Sequence, residues 1–205
     1  MTVSKELKKR DLITGKGTLT VFDKIFPKIL EKSCDEPSKF IRDRWDLYLK
    51  EYCGPEKKKN PALNGHVFEG LLTVLFHLCK VGPLYFQANL KFVPDANFDF
   101  IGYSEEHGPI VLSAKTSLRE RKKQADLQGR FMRQVYQRSQ SYLITLDADE
   151  ARAANANIDR GGLMGIDRVV SMEDGSFDEL IKKLQGMDFC EPEMVQIITG
   201  TRIIN

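Results

Sequence analysis

Asp99 and Lys115 are the two residues of this sequence whose types and spacing best suit a chemical reaction. Residues 98–103 and 110–114 are rich in β-branched and aromatic side chains, and the polar, glycine-containing segment 104–109 separates them. That pattern is typical of a β-hairpin. If the turn lies near the middle of the polar segment, antiparallel pairing places Asp99 opposite Lys115 at the open end of the hairpin.

A carboxylate beside a lysine at the ends of two strands suits metal-dependent attack on a phosphate group. Asp99 would bind Mg²⁺, while the ammonium group of Lys115 would orient the attacking water and neutralise the developing charge. The same two residues can also form an ordinary cross-strand ion pair without a catalytic role. The pair alone leaves both interpretations open.

The residues around this pair resemble the signature of the PD-(D/E)xK nuclease superfamily. Pro94-Asp95 precedes Asp99, and Ser113-Ala114-Lys115 closes the second strand where the superfamily has acid-x-lysine. A serine also stands at that position in a subgroup of type II restriction endonucleases that cut sites built on CC and GG. That subgroup carries Arg-acid-Arg shortly after the lysine, and Arg119-Glu120-Arg121 stands in the matching place here.

The resemblance implies a Mg²⁺-dependent type II restriction endonuclease that hydrolyses double-stranded DNA at a short G·C-containing site. Asp99 would bind the metal, Lys115 would position the water, and Ser113 would occupy the place of the usual acid. The implied fold is a restriction-endonuclease-like α/β core, a central mixed sheet flanked by helices, with an N-terminal helical region. Of the two aspartates, Asp99 fits better, because the predicted register puts Asp95 beyond the strand pairing.

The motif does not supply a second acidic ligand, because Ser113 carries no charge. In the resembling subgroup a glutamate on the following helix completes the site, and its place falls near Gln128, whose amide would hold Mg²⁺ weakly. Glu69 is our first candidate, since it interrupts the apolar run 67–76, and the preceding helix often supplies a glutamate in this superfamily. An exposed helix edge is the alternative for Glu69. Asp126 is the second candidate ligand, and an inactivated chain is the third explanation.

Arg119, Glu120 and Arg121 are predicted to read bases. Arginine can donate two hydrogen bonds to guanine and glutamate can accept one from cytosine, and the resemblance implies a CC/GG half-site. Lys122 and Lys123 follow directly and would contact the phosphate backbone. Between positions 115 and 138 basic residues outnumber acidic ones: Lys115, Arg119, Arg121, Lys122, Lys123, Arg130, Arg133 and Arg138 against Glu120 and Asp126. A helix start with local ion pairs and a solvated basic face is the alternative.

We predict a single nuclease domain over residues 1–205. Helical periodicity in residues 1–60 indicates a helical extension and possible dimerisation region, and residues 62–205 would form the catalytic core. In the core we expect a buried helix, three strands, a helix at 118–138, and then strand, helix, strand and helix. The helix at 118–138 has one apolar stripe that we expect to pack against the sheet, formed by Leu127, Phe131 and Val135.

Composition adds looser limits. With 205 residues, 41% of them hydrophobic, the chain can bury one well-packed core, and its net charge of +2 says little about nucleic acid. No apolar run approaches membrane-spanning length and no apolar signal core opens the sequence, so we expect a soluble, cytoplasmic protein without a membrane partner. Cys34, Cys53, Cys79 and Cys190 form no Cys-x-x-Cys pair, which predicts reduced thiols and no zinc site.

A symmetric DNA target implies a symmetric enzyme, so the expected assembly is a homodimer on double-stranded DNA, with the N-terminal helices available for the interface. Three other functions stay open. A structure-selective repair or recombination nuclease would share the metal chemistry without reading bases. A non-catalytic DNA-binding module on the same scaffold is favoured by Gln128. A plain α/β interaction domain with a solvated basic helix would not bind DNA.

Overall fold

A computed structural model of the chain describes residues 2–52, 60–90, 93–119, 121–191 and 198–203. Its helices are α1 (Val3–Lys9), α2 (Lys16–Ile25), α3 (Pro37–Tyr52), α4 (Pro61–Leu78), α5 (Arg121–Val135), α6 (Ala148–Asp159) and α7 (Ser176–Gln185). Its strands are β1 (Leu84–Leu90), β2 (Val93–Ser104), β3 (Gly108–Lys115), β4 (Gln140–Thr145), β5 (Arg168–Ser171) and β6 (Ile198–Ile203). Among the described helices, none combines the length and the apolar character needed to cross a membrane.

The six strands belong to one mixed sheet with the order β5-β4-β3-β2-β1-β6. Strands β6, β1, β2 and β3 pair antiparallel, whereas β3, β4 and β5 pair parallel. Parallel neighbours need a crossover connection, and α5 and α6 supply the two crossovers. The predicted α/β arrangement of a central mixed sheet flanked by helices is therefore confirmed.

Hydrophobic side chains cover both faces of this sheet. On one face, Phe76 of α4 meets Phe100 of β2 edge to face, with ring centroids 5.1 Å apart. The same apolar cluster continues into the N-terminal helices and into α7. On the other face, residues of α5 and α6 pack around Leu143 and Val169. The N-terminal helices consequently share one core with α4 and the sheet.

The hairpin of β2 and β3 is present, but its register differs from the predicted one by two residues. The prediction pairs Asp99 with Lys115. In the structure Phe100 pairs with Leu112, and one further step along the strands places Asp99 opposite position 113. Side chains alternate between the faces of a strand with a period of two, so a shift of two residues does not move a side chain to the other face.

The turn of the hairpin explains the shift. The predicted turn centres near His107, whereas β2 continues to Ser104 and β3 begins at Gly108, which leaves three residues for the turn. The Ser104 hydroxyl accepts a hydrogen bond from the backbone N–H of His107. Gly108 has a φ of +71°, in the left-handed region that glycine adopts at little cost. A three-residue loop with glycine in this conformation is common in hairpins.

One element and one covalent bond have no counterpart in the predictions. Helix α1 lies within the helical extension predicted for residues 1–60, whereas the strand β6, which pairs antiparallel with β1 at one edge of the sheet, has no predicted counterpart. Cys34 and Cys79 form a disulfide with their Cα atoms 5.3 Å apart, so the expectation of four reduced thiols is wrong for this pair. This disulfide does not involve Cys190. Cys53 lies outside the described residues.

Helix α5 turns a different side to the sheet from the predicted one. Leu127, Phe131 and Val135 form the apolar stripe expected to be buried, yet they are 54%, 42% and 53% exposed. The buried positions of α5 are mostly small or polar: Ala125, Asp126, Gln128, Gly129 and Met132. The stripe lies on one side of the helix as predicted, but this side faces away from the sheet.

A close backbone contact fixes this rotation of α5. Gly129 and Gly165 lie so near each other that a β-carbon on either would overlap backbone atoms of the opposite segment. Asp126 accepts a hydrogen bond from the backbone N–H of Gly165 at 2.6 Å. One turn further on, Arg133 forms an ion pair with Asp167 at 2.7 Å. These contacts turn the side of α5 that carries the small residues toward the sheet. The apolar stripe is therefore exposed to solvent.

We expect Gly129→Ala to destabilise the protein. The added β-carbon would overlap the carbonyl oxygen of Gly165, and moving two backbone segments apart should lower the free energy of unfolding by about 1–3 kcal/mol. Urea unfolding followed by circular dichroism measures the change. Gly65→Ala is the matched control, because this helical glycine has open space around it and the substitution should be neutral or stabilising by up to about 1 kcal/mol. Equal stabilities of the two variants would contradict the contact.

Candidate active site

The contact between Asp99 and Lys115 forms the centre of the candidate site. The Nζ of Lys115 donates to Oδ2 of Asp99 at 2.6 Å, and both side chains are largely buried. The same carboxylate oxygen accepts the backbone N–H of Ala114 at 2.8 Å. These two donors offset the cost of removing the carboxylate from water. They also tie β2 to the end of β3.

Glu69 approaches this pair from α4 and is held by β1. It lies in the buried stretch of the helix, and Nε2 of Gln87 donates to its Oε2 at 2.8 Å. His66, one turn earlier on α4, has its Nδ1 3.9 Å from the same oxygen. The apolar surroundings of Glu69 are therefore interrupted at one point, where its carboxyl group faces polar neighbours.

The electrostatics of Glu69 link it to the central pair. Burial is the main cause that raises the pKa of Glu69 to about 7, and the neighbouring Asp99 carboxylate adds to the rise. Lys115, the hydrogen bond from Gln87, and Arg121 act in the opposite direction. Because its pKa lies near 7, Glu69 is partly protonated at neutral pH. A cation bound next to it would favour the ionised form.

Gln87 is a residue of the site that the sequence pattern does not reveal. Its φ is +48°, in the left-handed region that residues other than glycine rarely adopt. Gln87 of β1 and Asp99 of β2 lie opposite each other between two regular residue pairs, but they do not form a residue pair themselves. Strained backbone of this kind is concentrated at functional sites. Here it accompanies a side chain that holds Glu69 beside Asp99.

Asp99 and Glu69 together fit a hard divalent cation. The donors already described occupy Oδ2 of Asp99 and Oε2 of Glu69. Within the described chain, no hydrogen bond takes up Oδ1 of Asp99 or Oε1 of Glu69. Mg²⁺ is usually held by one or two carboxylates together with waters and phosphate oxygens. The described residues offer no group of three or more His, Cys, Asp or Glu that could hold a metal ion.

The two uncharged positions of the motif have different surroundings. Ser113 is buried on β3 and, by the register, lies opposite Asp99. Gln128, the residue near which the resembling subgroup has a glutamate, is buried on α5. Its Nε2 donates to the backbone oxygen of Asn97 at 3.0 Å, two residues before Asp99. Gln128 thus fixes the strand that carries Asp99.

Asp126 is not brought to the central pair. Its Oδ1 accepts the N–H of Gly165 at 2.6 Å, and its Oδ2 accepts from Nε of Arg130 at 2.8 Å. Both oxygens are therefore used in packing α5. Of the two predicted acidic ligands, Glu69 is the one whose neighbours include Asp99 and Lys115.

The predicted DNA-reading segment lies between β3 and the first turn of α5. Arg119, Arg121 and Lys123 are exposed and Lys122 is half-buried. Glu120 and the side chain of Asp95 lie outside the described residues. Further along the helix, Arg130 and Arg133 are paired with acids. The basic surface predicted for the whole helix is thus concentrated at its N-terminal end, next to Lys115.

Glu150 anchors this segment and is a second residue that sequence reasoning misses. Its carboxylate accepts the hydroxyl of Ser117 at 3.0 Å through one oxygen and the backbone N–H of Leu118 through the other. Leu118 itself is buried. The chain immediately before Arg119 is therefore held against α6, and the arginines project from an ordered support.

A cavity of about 410 Å³ opens beside Glu69 and Gln87. His66 lines it from α4, and Thr14 and Thr18 line it from the N-terminal region. The N-terminal region, for which the sequence suggests a dimerisation role, therefore forms part of the wall next to the candidate site.

A comparison with solved structures identifies the fold. The complex of restriction endonuclease PspGI with substrate DNA is similar to this chain, with a TM-score of 0.54. The match covers 82% of this chain and 79% of that chain at 16% sequence identity. The chain therefore has a restriction-endonuclease-like fold, as the motifs predict. No protein-family model and no curated protein matches the sequence.

Glu69→Gln should change how stability depends on pH. The pKa of Glu69 is about 7 in the folded protein, whereas the ordinary value of 4.5 applies to the unfolded chain. Below pH 4.5 the group is neutral in both states. As pH rises from 4.5 to 7, the unfolded chain ionises first and the folded protein loses stability, by on the order of 3 kcal/mol in total. The variant lacks this loss, so its free energy of unfolding relative to wild type should rise between pH 5 and pH 8.

Urea unfolding at the two pH values, without divalent cations, measures this difference. Glu179→Gln, at an exposed glutamate of α7, controls for the loss of one negative charge. A Glu69→Gln difference that is the same at pH 5 and pH 8 would contradict the raised pKa.

Proposed function

We propose that this protein is a Mg²⁺-dependent type II restriction endonuclease that hydrolyses double-stranded DNA at a short G·C-containing site. The contact between Lys115 and Asp99 carries the proposal, because it places an ammonium group beside a carboxylate that keeps one oxygen available. The fold supports it, since PspGI, a restriction endonuclease solved with substrate DNA, has a similar structure. The basic N-terminal end of α5 lies next in the chain and supplies a surface for DNA.

Each residue of the site has a distinct role in this reaction. Asp99 and Glu69 would hold Mg²⁺ through the oxygens not used in hydrogen bonds. When bound, the ion supplies Lewis-acid polarisation of the scissile phosphate and of water. Lys115, fixed by Asp99, orients the attacking water and places its charge against the charge that develops on phosphate oxygens. The water oxygen loses a proton to solvent and bonds to phosphorus, while the bond from phosphorus to the 3′ oxygen breaks and that oxygen takes up a proton. The products therefore carry a 5′-phosphate and a 3′-hydroxyl.

Base reading would come from Arg119, Glu120 and Arg121. Glu150 fixes the preceding residues, so the arginines approach DNA from an ordered segment. A guanidinium group can bind O6 and N7 of guanine together, which favours a CC/GG half-site. Lys122 and Lys123 lie in the first turn of α5 and would bind backbone phosphates without reading sequence.

A non-catalytic DNA-binding module is the second candidate. The observation that favours it is the neutral Gln128, which is tied to Asn97 and adds no charge beside Asp99. Such a module would bind DNA with strong salt dependence and would not turn over. A structure-selective nuclease would instead cut branched DNA and give no fixed fragments from linear duplex.

Lys115→Ala should strongly slow the cleavage of long linear duplex DNA in the presence of Mg²⁺. We expect wild type to give discrete, reproducible fragments and the variant to be slower by about 10²-fold or more, because the water loses its positioning group. Lys39→Ala is the matched control, since Lys39 also pairs with a carboxylate, Glu36, but on the exposed surface of α3. Fragment yield against time, resolved on gels, is the measurement.

The folded state of Lys115→Ala is checked by circular dichroism and by DNA binding without metal. A folded variant that cuts as fast as wild type would contradict the role of Lys115. Absence of cleavage by wild type with any divalent cation, together with DNA binding, would replace the enzyme proposal by the binding module.

Arg121→Ala should weaken discrimination between target and random DNA. The loss of a bidentate contact to guanine removes about 1–3 kcal/mol of preference for the target, while non-specific binding persists. Lys122→Ala is the comparison, because a lost phosphate contact should weaken binding to all sequences alike and lower the salt slope by about one. Competition binding at several salt concentrations separates the two effects. Equal losses on both DNAs for Arg121→Ala would show that Arg121 contacts phosphate only.

A further inference from the structure

The outward stripe of α5 is an apolar surface that none of the described elements covers. Leu127, Phe131 and Val135 follow one another at intervals of four residues, and each is about half exposed. They form a row about 12 Å long on a 15-residue helix. Single exposed apolar residues are ordinary, but a contiguous row of this kind on a soluble protein marks an interaction site.

The position of this row cannot be changed by a simple rotation of the helix. The contact of Gly129 with Gly165 and the hydrogen bond from Gly165 to Asp126 fix the opposite side of α5. Turning the stripe inward would break both and would drive larger side chains into a space that accepts only glycine. The stripe is thus built to face outward.

We infer that the stripe is the centre of a homodimer interface in which α5 packs side by side and parallel with α5 of a second copy. In that arrangement Leu127 meets Leu127, Phe131 meets Phe131 and Val135 meets Val135 across a two-fold axis that runs along the helices. The choice of a second copy in parallel orientation rests on the proposed function.

The charges of α5 suit packing against an identical helix. After Lys123 the exposed positions of the helix carry no charge: Gln124, Leu127, Phe131, Gln134 and Val135. Arg130 and Arg133 turn to the side and are paired with Asp126 and Asp167. In a symmetric interface like residues face like, so an uncharged strip avoids repulsion and two glutamines form a polar rim.

The geometry of the DNA-reading segment favours the parallel orientation. Parallel packing brings the two N-terminal ends of α5 to the same side of the dimer. Helices in contact lie about 8–10 Å apart, and this distance corresponds to about three base-pair steps along DNA. Arg119 and Arg121 of both copies would then face one short two-fold site. Antiparallel packing centred on Phe131 would separate the two copies of Arg121 by about 30 Å, and this distance exceeds the length of a short DNA site.

The stripe alone is smaller than a complete interface. A stable interface buries about 800 Å² from each partner, with an apolar centre and a polar rim. The row of three side chains therefore accounts for the centre, and the surface beside it on α5 would supply the rim.

The oligomeric state of the whole chain tests the inference. Without DNA or divalent cations, sedimentation equilibrium at about 50 μM should give twice the chain mass of 23.4 kDa for wild type. Phe131→Glu should give the monomer mass, because two carboxylates would face each other across the axis. Circular dichroism should show it folded, since Phe131 is on the surface of a single chain.

Leu47→Glu is the matched control and tests the N-terminal region as the alternative interface. Leu47 is 39% exposed on α3, close to the exposure of Phe131, and its substitution should leave the dimer intact. A wild-type monomer, or a dimer that persists in Phe131→Glu, would overturn the inference. A dimer lost in Leu47→Glu and kept in Phe131→Glu would transfer the interface to the N-terminal helices.

A cysteine variant tests the orientation. Leu127→Cys should form a covalent dimer on mild oxidation if the helices are parallel, with wild type treated alike to show the background from Cys53 and Cys190. A covalent dimer that requires mixing Leu127→Cys with Val135→Cys would show antiparallel packing and overturn the model. A dimer that does not cut DNA counts against the proposed function alone, and a monomer that cuts it counts against the interface alone.

Discussion

At the open end of the hairpin, one oxygen of Asp99 accepts both the ammonium group of Lys115 and the backbone N–H of Ala114. A carboxylate in this buried position needs hydrogen-bond donors to offset its loss of hydration. The two hydrogen bonds in turn hold the carboxylate in place. The arrangement fixes the lysine side chain, whose flexible stem would otherwise let it sample many positions. It also leaves the second carboxylate oxygen of Asp99 without a hydrogen bond among the described residues.

The site depends on three separate parts of the fold. Asp99 comes from β2, Lys115 from β3 and Glu69 from α4, and one continuous hydrophobic cluster runs from the N-terminal helices through α4 to the sheet. The ammonium group of Lys115 pairs with Asp99 and also lowers the pKa of Glu69. The pKa of Glu69 nevertheless stays raised, because burial and the Asp99 carboxylate outweigh this effect. Any cation placed beside the two carboxylates would lower the pKa of Glu69 again, because it would favour the ionised form.

Sequence reasoning finds those residues of the site whose position follows from a repeating pattern. The proximity of Asp99 and Lys115 follows from strand alternation, and it survives a register shift of two because side chains return to the same face. Glu69 is recognisable because a charged residue interrupts an apolar run. Gln87 gives no such signal, since its role depends on a left-handed φ that its residue type does not favour.

Glu150 shows a different limit. Asp147 and Glu150 have the spacing of a helix capping box, and Asp147 does accept the backbone N–H of Glu150 at 2.9 Å. The pattern would direct the Glu150 carboxylate back to the start of α6. It instead reaches Ser117 and Leu118, more than thirty positions earlier in the chain. A local motif predicts the local half of the interaction, whereas the long-range half depends on how α6 lies against the segment after β3.

The rotation of α5 explains two differences between sequence and structure at once. Periodicity locates an apolar stripe on a helix, but it does not identify the partner of the stripe, and burial against the sheet is the usual outcome. Here the contact of Gly129 with Gly165 sets the rotation, because only glycines allow the two backbones to approach so closely. That rotation turns Leu127, Phe131 and Val135 outward, and it also turns Asp126 toward the Gly165 N–H and away from Asp99. The same pair of glycines thus keeps the Asp126 carboxylate in the packing of α5, and Glu69 of α4 is the predicted acid whose carboxyl group has Asp99 among its neighbours.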